Sequence, residues 1–329
     1  MFEFSRRAAL GAICAVAASI ASVGAHAEGG AYPTKPVKLV VGFPPGGSTD
    51  VVARILADSM TTALGQPVVV ENRDGASGAV GVAYVASSDA DGYTVGLSGI
   101  GTSILAAALG KDPGYSIDDD LEIIGVTGTL GMVIGGHKGL EPKTLPELIA
   151  YAKSHPGEVT YGTSGVGTPG HLAMEYLAHA ESIDMLHIPY KGNTPMMNDL
   201  LGGHVDVAMM TIPGAVEQIR AGGIQPYAVT SPKRSDLMPE MPTASEAALD
   251  GFSATLWNLL VAPAGTDPEV QEVLSNALNA AMNDLKVLKA FKMQGLAPME
   301  TTPEEAAAFL NSERDKWVGV IESVGVETK

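Results

Sequence analysis

The chain has 329 residues, a formal net charge of -17, 46% hydrophobic residues and a single cysteine. Its length exceeds that of one compact core, so two lobes or domains are expected, and its charged content of 17% is too low for a solvated, disordered chain. The acidic balance argues against a nucleic-acid partner, because binding to a phosphate backbone requires clustered lysine and arginine.

The first 27 residues have the pattern of a secretory signal peptide. Arg6 and Arg7 precede an apolar, alanine-rich run that ends in a small-x-small pattern, which predicts cleavage after Ala27. The run is shorter than the roughly 20 residues of a membrane span, so a membrane anchor is disfavoured. Cleavage removes the only cysteine, Cys14, and we expect a soluble, exported product without disulfides or thiolate ligands.

The elements of the first part alternate between strand and helix. Short apolar runs predict strands, and apolar residues at helical spacing predict helices. They are a strand at Val37–Phe43, a turn at Pro44–Ser48, a helix from about Thr49 to Leu64, a strand at Pro67–Arg73, a turn at Asp74–Ser77, a helix at Gly78–Ser88 and a strand at Tyr93–Ser98. Such alternation implies right-handed crossovers and a mainly parallel sheet.

The alternation returns in the middle of the chain and ends in a helical tail. Strands are predicted at Glu158–Thr163, Met185–Tyr190, Val205–Met210, Ile224–Ser231 and Thr255–Ala262, and helices at Gly170–Ala180, Pro195–Leu201 and Gly214–Ala221. The tail is predicted to be helical from about Asp267 to Gly295 and from Thr302 to Gly325, with a capping box of Thr302 and Glu305. Two α/β units of this kind predict two lobes.

Three strand-to-helix turns consist largely of glycine and small hydroxyl residues, at Pro44–Asp50, Asp74–Gly78 and Thr163–His171. Such turns present free backbone N–H groups and the positive end of a helix at the sheet edge where ligands bind. We interpret them as a cradle for an anion, built from dipoles and from the hydroxyl groups of Ser48, Thr49, Ser77, Ser164 and Thr168. The alternative, in which the glycines serve only capping and tight turns, stays open.

Enzyme motifs are incomplete. The run from Gly165 to Gly170 matches G-x-G-x-x-G between a strand and a helix, but the acidic residue expected at the end of the next strand is missing. The sequence around Ser164 lacks the last glycine of a nucleophile elbow, and no H-E-x-x-H or P-loop motif is present. We therefore expect no enzyme activity, no cofactor and no metal. The enzyme alternative is an exported α/β hydrolase or transferase that uses Ser164 with His171.

Three further side chains are candidates for ligand contacts. His171 lies in the first helical turn after the third loop, where a ligand-facing role and a capping role are both open. Lys191 follows Tyr190 at the same sheet edge, as either a cation for an anionic ligand or a solvated lysine. Asp206 is a charge in an otherwise apolar strand, and its required partner is either a loop or a ligand's amino or hydroxyl group.

The order of short motifs along the chain resembles the solute-binding proteins of tripartite tricarboxylate transporters, often called Bug proteins. The motifs are Tyr32-Pro33 with Lys35-Pro36, Gly46-Gly-Ser-Thr-Asp50 with Arg54, Glu71-Asn-Arg73 with Gly75, Asp91-Gly-Tyr-Thr94, Tyr161-Gly162 with Gly165 and Gly167, His171-Leu-Ala173, Ile188-Pro-Tyr-Lys-Gly192, Leu201-Gly-Gly203 with Val205-Asp206, Pro242-Thr243 with Glu246, Trp257, and Ala262-Pro-Ala-Gly265. Each motif is weak alone, but in this order they are specific and cover nearly the whole exported chain.

The resemblance implies a periplasmic-binding-protein type II architecture, with two Rossmann-like α/β lobes, a ligand cleft and a hinge. Lobe 1 is expected at residues 32–132 and 255–329 and lobe 2 at 133–254, with crossing strands near Gly131–Ile134 and Thr255–Ala262. We expect a periplasmic monomer that captures a small carboxylate (a di- or tricarboxylate, an acidic amino acid or an aromatic acid) and delivers it to membrane permease subunits. A ligand sensor that docks a histidine kinase is the other class left open.

In such relatives backbone N–H groups and ordered waters hold the carboxylate, at loops that match Pro44–Asp50, Gly75–Gly78 and Ser164–Thr168. The predicted ligand-binding residues are therefore Phe43, Gly46, Gly47, Ser48, Thr49, Asp50, Ala76, Ser77, Gly78, Ser164, Gly167, Thr168, His171, Tyr190, Lys191 and Asp206. Asp74 and Ser77 depart from the pattern, since relatives commonly carry proline and glycine there, so the backbone of this loop is expected to differ.

Overall fold

The computed structural model describes residues 32–325. The predicted signal peptide at residues 1–27 lies outside the described residues, so its cleavage stays a prediction. Contacts divide the chain into Met1–Thr34 and Lys35–Lys329, and the second unit carries all the elements below. Between residues 32 and 325, no helix combines the length and the apolar character needed to cross a bilayer.

The first part of the chain forms a parallel three-stranded unit. Its elements are β1 (Val37–Val41), α1 (Ser48–Leu64), β2 (Val68–Asn72), a 3₁₀ turn (Ala76–Gly78), α2 (Ala79–Ala86), β3 (Thr94–Gly99), a π-helical turn (Gly101–Leu105) and α3 (Ala106–Ala108). Strand β1 pairs in parallel with both β2 and β3. Helix α1 buries Val52, Leu56 and Met60 at helical spacing and ends at Gly65, whose φ of 65° suits glycine. These elements confirm the predicted alternation.

The middle of the chain repeats this arrangement. Its elements are β4 (Leu121–His137), α4 (Leu145–Ser154), β5 (Thr160–Thr163), α5 (Pro169–Glu181), β6 (Leu186–Pro189), α6 (Asn193–Gly202), β7 (Val207–Thr211), α7 (Ile212–Arg220), β8 (Ile224–Val229) and α8 (Ala244–Ala247). Strand β5 pairs in parallel with β6 and β7, just as β1 pairs with β2 and β3. The chain thus contains two parallel three-stranded units, β1–β3 and β5–β7, and in each the first strand lies between the two that follow it.

The tail returns to the first unit and then becomes helical. Its elements are β9 (Thr255–Pro263), α9 (Pro268–Asn283), α10 (Leu285–Met293), β10 (Leu296–Ala297) and α11 (Pro303–Val324). The helix predicted from Asp267 to Gly295 is two helices. Asp284 has an extended ψ of 123°, and its carboxylate accepts the N–H of Lys286, which starts the second helix. The capping box of Thr302 and Glu305 is confirmed.

Strand β4 links the two units. Within the described residues, ten strands form one hydrogen-bonded sheet, ordered β2-β1-β3-β9-β4-β7-β5-β6, with β8 and β10 also paired to β4. From Leu121 to Gly131 β4 pairs with β9, and from Met132 onward it pairs with β7 and β8. The α/β class with two Rossmann-like units is thus as predicted. The lobe boundaries at residues 132 and 254 stay a prediction.

Candidate functional site

A cavity of about 950 Å³ lies where the carboxyl ends of the parallel strands meet. Its wall is formed by loops after β1, β2 and β3, by loops after β5, β6 and β7, by the start of β9, and by Leu130 of β4 and Leu296 of β10. The predicted site residues on this wall are Phe43, Gly47, Ser48, Thr49, Ala76, Ser77, Gly167 and Thr168. The remaining predicted residues, Gly46, Asp50, Gly78, Ser164, His171, Tyr190, Lys191 and Asp206, are not among its lining residues.

Asp50 orders the loop that leads into α1. Its buried carboxylate accepts hydrogen bonds from the backbone N–H of Gly46 at 2.8 Å, from the amide of Asn72 at 2.8 Å and from the guanidinium of Arg54 at 2.9 and 3.0 Å. The bonds from Arg54 are the main cause that lowers the pKa of Asp50 to about 2, and Gly46 and Asn72 add to the effect. Both oxygens are already paired, so Asp50 acts as a positioning residue for this loop.

The first turn of α1 offers uncommitted donors to the cavity. Gly47 is the N-cap residue and no side chain caps the helix, which leaves the N–H groups of Ser48 and Thr49 available. Within the described part of the chain their hydroxyl groups have no hydrogen-bond partner either, and both residues line the cavity. The positive end of the helix dipole favours an anion at this position.

The loop after β2 is strained where it meets the cavity. Ala76 and Ser77 have φ values of 45° and 55°, the left-handed conformation, which costs a residue other than glycine about 1–2 kcal/mol. Close backbone packing holds the loop, since a Cβ on Gly42 would lie 2.3 Å from the carbonyl oxygen of Gly78. Strain of this kind clusters at ligand sites. The loop whose backbone is expected to differ from that of relatives therefore lines the cavity, through Ala76 and Ser77.

The third loop uses most of its donors internally. The hydroxyl of Thr168 donates to the carbonyl of Gly165 at 2.8 Å and accepts the N–H of His171 at 3.4 Å, so it caps α5. The N–H of Gly167 donates to Nδ1 of His171 at 3.1 Å, and the N–H of Thr168 to the carbonyl of Gly165 at 3.4 Å. In this arrangement neither Gly167 nor Thr168 has a free donor for a ligand. The loop instead presents the half-exposed side chain of Val166 to the cavity.

A buried stack of rings supports this loop from below. His171 stacks on His187 with centroids 4.0 Å apart, and His187 stacks on Tyr161 at 4.9 Å. His187 Nε2 is hydrogen-bonded to the Thr163 hydroxyl at 2.7 Å, and the Tyr161 hydroxyl donates to Glu175. Burial lowers the pKa of His171. Burial, and then the neighbouring His171, lower the pKa of His187 to about 4. Both rings are therefore neutral at physiological pH.

The neutral state of His171 decides its role. Nδ1 accepts the loop N–H, so the ring carries its proton on Nε2, 3.6 Å from the Glu175 carboxylate. The sequence left two roles open for His171, and these hydrogen bonds support the capping and positioning role. Among the described contacts its ring is not bonded to the hydroxyl of Ser164, so the Ser164–His171 pair of the hydrolase alternative is not formed in this arrangement.

Other predicted side chains lie away from the cavity. The Tyr190 hydroxyl donates to Asp199 at 2.8 Å, and Lys191 is exposed. The Asp206 carboxylate accepts the N–H and the hydroxyl of Thr160 at 2.8 and 2.6 Å. Thr160 begins β5, so this pair lies at the amino end of the strand, opposite the cavity edge. Of the two alternatives for Asp206, the structure shows a protein partner, because its carboxylate joins β5 to β7, and its ligand contact stays a prediction.

Sequence analysis missed the wall that follows β3. The cavity is lined there by Gly99, Ile100, Gly101, Thr102, Leu105 and Leu109. Buried hydrogen bonds of the Ser98 hydroxyl to Thr102 and Ser103, at 2.9 and 2.8 Å, fix this turn. The segment Ser98–Ser103 has the same glycine and hydroxyl composition as the other loops, so the signal was present. Asn258, a polar residue within the apolar strand β9, also lines the cavity.

Charged side chains are scarce at this site. Among the described residues of the cavity wall, only Lys111 and Asp112 carry a charge, and both are exposed. Across residues 32–325, no group of three or more histidine, cysteine, aspartate and glutamate side chains is placed to hold a metal ion. Backbone dipoles, hydroxyl groups and apolar side chains therefore dominate what a ligand would meet.

Comparison with known proteins agrees with this fold. The family model described as "Tripartite tricarboxylate transporter family receptor" matches residues 52–326. Protein BugT of Bordetella pertussis is 37% identical over 97% of this chain and 98% of its own length. The periplasmic binding protein BugD superposes with a TM-score of 0.75 at 37% identity, over 91% of this chain and 100% of that chain. The R. palustris protein Rpa4515 with adipate does so with a TM-score of 0.79 at 31% identity, over 90% and 99%. The resemblance seen in the sequence is thereby confirmed, and the chain belongs to the tripartite tricarboxylate transporter family receptors, a family of periplasmic solute-binding proteins.

Proposed function

We propose that this protein captures a small carboxylate in the cavity and delivers it to the permease subunits of a tripartite tricarboxylate transporter. The observation that carries the proposal is the uncapped first turn of α1, which brings free N–H and hydroxyl donors to the cavity wall. Membership of the receptor family supports it, as does the adipate present with the relative Rpa4515.

The donor set suits a carboxylate that must be released again. The N–H groups and hydroxyls of Ser48 and Thr49, with the hydroxyl of Ser77, can share two carboxylate oxygens without a charged partner. A desolvated arginine–carboxylate pair is roughly twice as strong as a neutral hydrogen bond and would slow dissociation, which sets the rate of handover. Neutral donors therefore fit a carrier better than a bidentate arginine.

Capture is proposed to occur by closure of the two predicted lobes, residues 32–132 with 255–329 and residues 133–254. Two observations support it. Loops from both three-stranded units line the cavity. Strands β9 and β4, which lie between these units in the sheet, also contribute lining residues. A ligand that contacts both lobes binds the closed form better than the open one and shifts the population toward it. The protein acts as a periplasmic monomer, exported by residues 1–27.

Backbone-directed substitution tests the proposal. Ser48→Pro removes the N–H donor together with the hydroxyl while keeping a residue that favours the first helical position, and Gly47 already has the extended conformation that precedes proline, with φ -73° and ψ 165°. Ser48→Ala removes the hydroxyl alone. Leu285→Pro is the matched control, because Leu285 is the first residue of α10 and is 81% exposed.

Binding is measured by isothermal titration of ligand-free protein with acetate, benzoate, adipate, malate and citrate. We expect at least one carboxylate to bind, and Ser48→Pro to weaken that binding about tenfold or more, the value of one hydrogen bond to a charged group. Leu285→Pro should bind like the parent. Absence of binding by every carboxylate, in folded protein, would contradict the proposal, as would equal affinities for Ser48→Pro and the parent.

A further inference from the structure

We infer that the carboxylate bound here belongs to an acid with a single carboxylate and an apolar body, aromatic or longer-chain aliphatic, rather than to a hydroxy di- or tricarboxylate. The inference rests on the proposed function, because it places that carboxylate at the donors of the loops after β1 and β2. It adds what the rest of the cavity wall recognises.

The first observation is a set of apolar side chains whose surface remains open on the cavity wall. Core leucines such as Leu39 and Leu56 are almost completely buried. The lining residues Phe43, Val51, Leu109, Leu256 and Leu296 are only partly buried, and Val166 is 49% exposed. Surface of this kind is stabilised when an apolar group covers it and removes it from water. A hydrated, hydroxyl-rich ligand would leave it wet.

The second observation is the small number of charges. Lys111 is the one cationic side chain on the described part of the wall, it is exposed, and Asp112, next to it in the sequence, brings the opposite charge to the same wall. The Asp112 carboxylate accepts the N–H of Gly114 at 2.8 Å. Away from the donors of α1, a second or third ligand carboxylate would meet apolar side chains and the neutral polar groups of Asn193, Asn258 and Gln294, with no cation other than the exposed Lys111. Burial of a charge without a compensating charge is unfavourable.

The third observation is size. The cavity volume of about 950 Å³ lies near the upper end of the range of roughly 300–1,000 Å³ found for pockets that enclose drug-sized ligands. A four-carbon acid held at the first turn of α1 would leave most of the apolar wall uncovered. A ring or a chain of six or more carbons reaches farther along it. Volume, charge and wall composition thus favour the same class of ligand.

A homologous series of acids tests the inference directly. Affinities of the purified, ligand-free protein for acetate, butanoate, hexanoate, octanoate and benzoate are measured by isothermal titration and compared with those for malate and citrate. Each buried CH₂ should tighten binding about fourfold. Benzoate should bind more tightly than malate and citrate. The heat-capacity change of binding should become more negative along the series, the signature of apolar burial.

A conservative substitution on the wall provides the second readout. Val166→Thr keeps the side-chain shape and adds one hydroxyl, and should weaken octanoate and benzoate about fourfold while leaving acetate nearly unchanged. Val69→Thr is the matched control, because Val69 is 53% exposed on β2 and does not line the cavity. Its affinities should equal those of the parent.

The outcomes separate this inference from the proposed function. Tighter binding of malate or citrate than of octanoate and benzoate would overturn the apolar class and leave the carboxylate receptor intact. A flat series from acetate to octanoate would do the same. Failure of every acid, polar or apolar, would remove the proposed function and the inference with it.

Discussion

Replacement of His187 by glutamine tests the ring stack beneath the third loop. The imidazole of His187 lies between His171 and Tyr161, and its Nε2 is 2.7 Å from the Thr163 hydroxyl. Its pKa is lowered from about 6.5 to about 4, mainly by burial and to a smaller extent by the neighbouring His171. Glutamine keeps an amide that can bond to Thr163 but cannot gain a proton in this range.

The sign of the pH effect on stability depends on whether the folded or the unfolded state binds more protons. As pH falls below about 6.5, His187 of the unfolded chain becomes protonated, whereas the folded ring stays neutral down to about pH 4. The unfolded state binds more protons between these values, so the free energy of unfolding falls as pH falls. At about 1.4 kcal/mol for each pKa unit the upper limit is about 3 kcal/mol. Solvent screening of a partly exposed ring reduces this to about 1–2 kcal/mol.

The expected result is a difference between two pH profiles. Urea unfolding of the parent and of His187→Gln, followed by the fluorescence of Trp257 and Trp317, gives the free energy of unfolding at pH 7, 6, 5 and 4. Between pH 7 and pH 4 the variant should lose about 1–2 kcal/mol less than the parent. His179→Gln, exposed on the same helix as His171, should follow the parent. Parallel profiles for the parent and His187→Gln would refute the reasoning.

Urea unfolding of three further variants tests other parts of the site and of the structure that supports it. Asp50→Asn should lower the free energy of unfolding by about 1–3 kcal/mol and weaken carboxylate binding, whereas Asp58→Asn on the exposed face of α1 should do neither. The contribution of Asp50 is present above about pH 4 and is lost as pH falls through about 2, so a parent stability that is constant there would contradict it. Glu313→Ala should cost about 2–4 kcal/mol, because the carboxylate accepts both indole N–H groups at 2.8 and 3.2 Å, and a loss no larger than that of the exposed Glu322→Ala would argue against this role. Ala76→Gly should raise stability by about 0.5–1 kcal/mol through relief of the left-handed φ, and a decrease would show that the turn is not strained.

Apolar patterning predicted the parallel units well and the shared strand poorly. The buried runs of β1 and β3 are short and continuous, and the structure has them as strands at Val37–Val41 and Thr94–Gly99. Strand β4 spans Leu121–His137 but contains five glycines, which remove the side chains on which a strand pattern depends. Only the crossing near Gly131–Ile134 was expected. The length of β4 comes from its pairing with β9, β7 and β8, which are distant in sequence.

The position of the cavity was predictable, whereas the use of the donors around it was not. Glycine and hydroxyl residues after β1 and β2 marked the cavity wall, because loops at carboxyl ends of parallel strands converge. Sequence alone does not tell that Asn72 and Arg54 occupy the carboxylate of Asp50, or that His171 accepts the N–H of Gly167. These pairings depend on distances between elements. Of the residues singled out for ligand contact, Asp50, Thr168 and His171 have polar groups that order the loops, whereas Ser48, Thr49 and Ser77 line the cavity.

Together these pairings leave the cavity nearly free of net charge. Asp50 is paired with Arg54, Lys111 and Asp112 bring opposite charges to the wall, and the lowered pKa values of the two stacked histidines favour their uncharged forms. The protein as a whole is acidic, with a net charge of -17, but salt screens its repulsion of an anion beyond about 8–10 Å. Attraction of the carboxylate therefore depends on dipoles within hydrogen-bonding distance, which added salt weakens little. Because such donors hold any carboxylate alike, discrimination among acids falls to the apolar wall, and affinity should follow the ligand's body more than its charge.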